Sequence, residues 1–173
     1  MAIDRELFLK ILEDSFSAYY DIVPQEHPEL PLAFRGDYVK REGRYWITKS
    51  LPIWSSEEGE FAYVFAADSF TGELAERCIA FALEDGLPRV KPHKDHQHTD
   101  IKVILIADRM DEAARKAVQQ CRFTKNYRFS FWGFTNLLAA AVDLSEGKAY
   151  PNKAGYALEP YFRKLFDARK EEG

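Results

Sequence analysis

Two short runs, "FAYVFAA" at 61–67 and "IKVILIA" at 101–107, constrain this chain more than anything else in it. A strand turns successive side chains to opposite faces, so a run that is apolar at almost every position has to be covered on both sides. Between them, "TGELAERCIAFALEDG" puts Leu74, Cys78 and Ala82 on one helical row and Ala75, Ile79 and Leu83 on the next, with Thr71 near its start and Gly86 past its end. Strand, helix, strand is a crossover unit, expected to be right-handed.

The remaining elements are read the same way. Residues 4–20 carry Leu7, Phe8, Ile11, Leu12, Phe16 and Tyr19 at helical spacing behind Asp4 as an N-cap, which predicts an amphipathic helix packed on the sheet. Three prolines in "VPQEHPELP", 23–31, make that segment a connector. From Gly36 a period of two predicts an antiparallel hairpin with its turn at Arg41–Arg44 and Tyr45, Ile47 and Leu51 alternating beyond it, and "SSEEGE" at 55–60 reads as a further turn. Ala114, Ala117, Val118 and Cys121 repeat the helix pattern. "NYRFSFWG" at 126–133 alternates Tyr127, Phe129 and Phe131 against Arg128, Ser130 and Trp132 as a strand. "LLAAAVDL" at 137–144 is open between helix, which its alanines favour, and strand, which the hairpin-like ending around Glu146-Gly147 favours, with strand the expectation. Leu158, Tyr161, Phe162, Leu165 and Phe166 give a closing helix with Pro160 in its first turn. The expected fold class is α/β (α+β): a mixed β-sheet with helices on both faces, in one globular domain over 1–173.

A content of 46% hydrophobic and 14% aromatic residues is that of a folded chain and excludes disorder as a class. Cys78 and Cys121 fall on apolar helix positions, which predicts reduced core thiols. The N-terminal stretch is interrupted by Asp4, Glu6, Glu13 and Asp14, unlike a signal peptide, and no run approaches about 18 uncharged apolar residues. A cytoplasmic chain with no membrane partner is expected. Its net charge of −4 provides no general attraction to nucleic acid or an acidic membrane, so any such binding has to come from a local patch.

In element order the chain resembles the restriction-endonuclease-like α/β architecture, "DEAARKAVQQCR" and "YRFSFW" matching its helix-then-strand ending, with N-terminal and C-terminal helices added. "YWITKSLPIWSSEEGEFAYVF", "KPHKDHQHTDIKVILIAD", "FTKNYRFSFWGF" and "VDLSEGKAYPNKAG", covering most of 45–155, also resemble a bacterial family of unknown function. The first resemblance implies an acid on one strand and Asp/Glu-x-Lys on the next, holding Mg²⁺. Asp37 suits the first acid, but Phe70 and Ala62 stand two places after Asp68 and Glu60, and Lys49 belongs to the neighbouring hairpin. The sequence therefore favours a non-enzymatic intracellular binding or scaffold domain without cofactor. A metal-dependent phosphodiesterase or nuclease is the alternative.

Three sets of residues could carry chemistry. His93, His96 and His98 form H-x-x-H-x-H, a spacing that suits zinc. "HQHTDI" resembles part of the metallo-β-lactamase-like H-x-H-x-D-H motif, with Ile101 in place of the last histidine. The competing expectation is a polar loop whose histidines bond to backbone. Asp68 and Ser69, with Asp108 and Arg109, end the two buried strands where open sheets bind ligands, or else cap the helices that follow. Arg115, Arg122, Lys125 and Arg128, with Phe123, Tyr127, Phe129 and Trp132 interleaved, suit a nucleic-acid or phosphate partner, or else form a solvated surface. A protein or nucleic-acid partner is the expectation these leave.

Overall fold

The computed structural model describes residues 3–45 and 52–172. In chain order it contains α1 (Arg5–Ser17), β1 (Asp21–Val23), β2 (Leu32–Tyr45), β3 (Pro52–Phe70), α2 (Gly72–Gly86), β4 (His96–Met110), α3 (Glu112–Gln120), β5 (Thr124–Asn126), β6 (Phe134–Asp143), β7 (Lys148–Pro151) and α4 (Leu158–Glu172). The described strands form one seven-stranded sheet in the order β1-β2-β3-β4-β6-β5, with β7 also on β6. β3, β4 and β6 run parallel at its centre. The pairs at both margins are antiparallel.

The doubly apolar strands occupy the centre, as their pattern demands. On one face α2 and α3 press Ala75, Cys78, Ile79, Ala82, Ala114 and Val118 against Tyr63, Phe65, Ile101, Val103 and Leu105. On the other, α1 and α4 cover Ala62, Val64, Ile104, Ile106, Ala140 and Val142 with Phe8, Leu12, Phe16, Phe162 and Phe166. Asp4 caps α1 by accepting from the Leu7 N–H, and Phe8 stacks on Phe166 at 5.2 Å between centroids. Burial pushes the Cys78 thiol up to about 12 and that of Cys121 to about 11, which keeps both protonated and inert.

Three expectations are corrected. Arg41–Arg44 is no turn: β2 continues through it, Glu42 facing Ser56 and Gly43 facing Ser55, so the ladder also absorbs "SSEEGE". The expected alternation at Ile47 and Leu51 lies outside the described residues. Residues 127–133 form a turn instead of a strand. Asn126 faces Phe134 across the β5–β6 pair, so the seven residues between must reverse the chain. Arg128, Phe129 and Ser130 adopt left-handed φ of 48°, 53° and 72° to do so, which leaves Phe129 and Phe131 outside. The strand expected at 137–144 is present as β6.

β6 holds β5 along Phe134–Asn136 and β7 along Ala140–Asp143, which leaves a gap between the two edge strands. Asn152 fills it. Its Oδ1 accepts from the N–H groups of Ala139 (3.0 Å) and Gly155 (2.8 Å), and its Nδ2 donates to the carbonyls of Leu137 (2.9 Å) and Cys121 (3.1 Å). Gly155 approaches so closely that a Cβ there would meet Asn152 Oδ1 and the Ala139 backbone. Asn152→Ala should cost about 3 kcal/mol, because it leaves buried backbone groups of β6 without partners. Asn152→Asp should lose a comparable amount, since it removes both donors. Denaturant unfolding of the two variants checks this.

Candidate functional site

On the α1/α4 face the sheet turns polar toward the start of β3 and β4. Glu58 faces His98, Glu60 faces Asp100 and Ala62 faces Lys102, so alternation brings two acids from β3 beside an Asp, a His and a Lys from β4. Lys102 is the anomaly. Its side chain is only 13% exposed, its ammonium lies 2.8 Å from Glu60 Oε1, and it donates to the Tyr20 hydroxyl at 3.1 Å. The Tyr20 and Phe16 rings flank it and stack on each other at 4.8 Å.

Above this pair opens a cleft of about 320 Å³, between the end of α1 with the turn that follows it (Ser15, Phe16, Tyr19, Tyr20) and the start of α4 with the residue before it (Ala157, Leu158, Tyr161), with Leu138 and Gly155 completing its lining. Its lining is mostly apolar. Ser15 Oγ and the Tyr161 hydroxyl meet across it at 3.1 Å. Beside it, burial pushes the Asp100 carboxyl up to about 6. His98, 3.8 Å away, and Lys102 pull the other way, while the neighbouring Glu60 and Glu58 add to the rise. The His98 ring stacks on Phe134 at 5.6 Å.

The histidines whose spacing suits zinc are divided by a β-bulge. Glu57 faces His96 but Glu58 faces His98, so Gln97 is an extra residue in β4. His96 is thereby turned to the α2/α3 face, where Nδ1 donates to the Trp132 carbonyl (2.7 Å) and Nε2 accepts from the Thr99 hydroxyl (2.9 Å). His98 stands on the opposite face beside Asp100. His93 accepts from the Asp95 N–H (3.2 Å) and lies 3.4 Å from Glu57. Among the described residues no three His, Cys, Asp or Glu side chains are grouped to hold a metal ion.

Asp68 and Asp108 do share the edge expected of them, and Arg5 from α1 grips both, at 2.7 and 2.6 Å. Ser69 faces Arg109 across the same strand pair. The capping alternative does not hold for Asp68 and Ser69, because Thr71 is the side chain that accepts from the Leu74 N–H at the start of α2. Of the basic set, Arg115 turns inward to Asp143 (2.9 Å) and Glu146 (2.6 Å) and lies over Tyr150. It is a structural cation. Arg122, Lys125 and Arg128 stay exposed, Lys125 over Tyr127 at 5.5 Å and Arg128 over Trp132 at 3.9 Å. Asp37, the expected first acid, is held by Arg35 and Arg89 on the α2/α3 face.

The signal for this arrangement was present in the sequence. Asp100-Ile101-Lys102 is an Asp-x-Lys, and Glu60 faces Asp100 in register. The pattern sought after Asp68 and Glu60 lies one strand over, inside the apolar run of β4.

Fold and site together define an α/β domain whose mixed sheet carries a small cleft over a lysine–glutamate pair. Residues 4–164 match the family model described as a domain of unknown function (DUF8052), and the chain belongs to that family. No curated protein and no solved structure matches it, so the restriction-endonuclease-like resemblance has no structural neighbour behind it. No helix among the described residues is long and apolar enough to cross a membrane.

Asp100 makes stability depend on pH. The native state keeps its proton up to about 6, whereas an unfolded aspartate releases it near 3.8, so the native state binds more protons in that window and stability falls as pH rises through it. Asp100→Asn should therefore be more stable than the native protein at about pH 7, with the advantage closing below about pH 4. Urea midpoints across the series check the sign.

Proposed function

We propose that this chain is a binding domain whose cleft takes a small ligand with a planar apolar body and one hydrogen-bond-accepting end group. Lys102 carries the reading. An ammonium has three protons, and Glu60 and Tyr20 engage two, which leaves one donor for a ligand acceptor at the floor of an apolar cleft. Phe16, Tyr19, Tyr20 and Tyr161 supply ring surfaces for the body, and the volume lies in the range of small-molecule sites. Ser15, the hydroxyl nearest to a nucleophile's role here, is paired with a phenol and not with an imidazole or carboxylate. The test is titration with anilinonaphthalene sulfonate, an aromatic anion of this description. The native chain should show one saturable site, Lys102→Met should weaken it by at least about tenfold, and Ala157→Trp, which fills the cleft, should abolish it. Absence of a saturable site, or binding untouched by either change, would sink the reading.

A second reading rests on Glu60 facing Asp100-Ile101-Lys102, the arrangement that the restriction-endonuclease-like resemblance implies. The Asp100 carboxyl, raised by burial and by its acidic neighbours, marks a place where a divalent cation would offset excess negative charge. Glu60 and Asp100 would hold the ion, which supplies Lewis-acid chemistry toward a phosphodiester when bound. Support would be Mg²⁺-dependent cleavage of DNA or RNA by the native chain, lost in Asp100→Asn and Glu60→Gln. Cleavage that persists in both variants, or no cleavage at all, rejects it.

A further inference from the structure

We propose that the Tyr127–Gly133 turn is an anchor for the surface of an anionic lipid bilayer, independent of the cleft. Phe129 and Phe131 are 96% and 81% exposed, whereas every other phenylalanine among the described residues is buried or half-buried. Two bare rings on the tip of a turn form an apolar wedge without a partner in the chain.

The turn is also held rigid against its own preference. Three consecutive non-glycine residues at positive φ are unfavourable, and arrangements of that kind persist only where surroundings over-determine them. Here the determinants are visible. Tyr127 N–H donates to the Gly133 carbonyl (3.0 Å), Phe131 N–H to Arg128 (3.0 Å), Trp132 N–H to Tyr127 (3.1 Å) and Gly133 N–H to Ser130 (3.2 Å). The Tyr127 hydroxyl meets that of Thr135 at 3.0 Å, and buried His96 donates to the Trp132 carbonyl at 2.7 Å. Gly133 is required, since φ is +78° and a Cβ there would run into the Gln97 carbonyl and the His96 ring.

Four N–H groups at the base of the turn, those of Tyr127, Phe131, Trp132 and Gly133, are bonded within it, so the two rings are presented from a braced frame. An unpartnered apolar wedge set beside cations suits the interface of an anionic bilayer. The flanks supply charge complementarity: Arg122, Lys125 and Arg128 are exposed and take part in none of the ion pairs of the described residues. Arg128 lies over the Trp132 ring at 3.9 Å, a pairing suited to the headgroup level, where an indole and a cation both find favourable surroundings. In a chain of net charge −4 this cationic strip gives the turn a local attraction to an acidic membrane that the chain as a whole does not supply.

The test is co-sedimentation of the full chain with vesicles of phosphatidylcholine alone and of phosphatidylcholine mixed with phosphatidylserine, in low and high salt. The native chain should sediment with the anionic vesicles, and salt should weaken the association. The double variants Phe129→Ser/Phe131→Ser and Lys125→Gln/Arg128→Gln should each bind at least about tenfold more weakly, with unchanged circular dichroism. No association with anionic vesicles overturns the proposal, as does equal binding to neutral ones. Undiminished binding by the phenylalanine variant overturns it too. Binding of single-stranded DNA that the phenylalanine variant loses, without vesicle binding by the native chain, would assign the turn to nucleic acid instead.

Discussion

One carboxamide holds the far side of this sheet together. β5 and β7 share the same flank of β6 without touching end to end, and Asn152 bonds the β6 backbone in the interval as a strand would. The same oxygen holds the Gly155 N–H, so the segment that lines the cleft and leads into α4 hangs on the side chain that completes the sheet. A buried polar group engaged at both ends rigidifies its surroundings, and half-engaged it would be a defect. Sheet closure and cleft geometry are therefore one property.

The two ends of the parallel strands are managed differently. Beyond the carboxyl ends of β3 and β4, where open sheets commonly bind ligands, Arg5 neutralises Asp68 and Asp108 and ties α1 down. At the other end Glu58, Glu60, His98, Asp100 and Lys102 share one sheet face, with charges only partly matched. α1 links the two: its first turn carries the clamp and its last residues form the cleft wall above Lys102.

How far the sequence could be read follows from the range of each interaction. The central strands, the crossover and the helices were legible because burial imposes a period on local residues. The hairpin turn expected at Arg41–Arg44 was not, because a ladder formed with distant residues overrode a local glycine. Tyr127, Phe129 and Phe131 imitate a strand, and only the facing of Asn126 and Phe134 reveals that the chain has to reverse there. Arg115 looked like a member of an open basic set because its acids, Asp143 and Glu146, are remote in sequence. Asp100-Ile101-Lys102 could have been seen, but it needed the β3–β4 register to give Asp100 and Lys102 their partner on β3.

The bulge at Gln97 has a consequence for how such a chain can change over generations. In an unbroken strand, inserting or deleting one residue exchanges the inside and outside of everything beyond it. β4 already contains one surplus residue just ahead of the stretch that enters the core, so losing Gln97 would restore a regular ladder in which Glu57 still faces His96, Glu58 still faces His98, and Ile101, Val103 and Leu105 keep their side of the sheet. The strand can thus change length at this one point without exchanging the faces of the interior or of His96, which braces the aromatic turn.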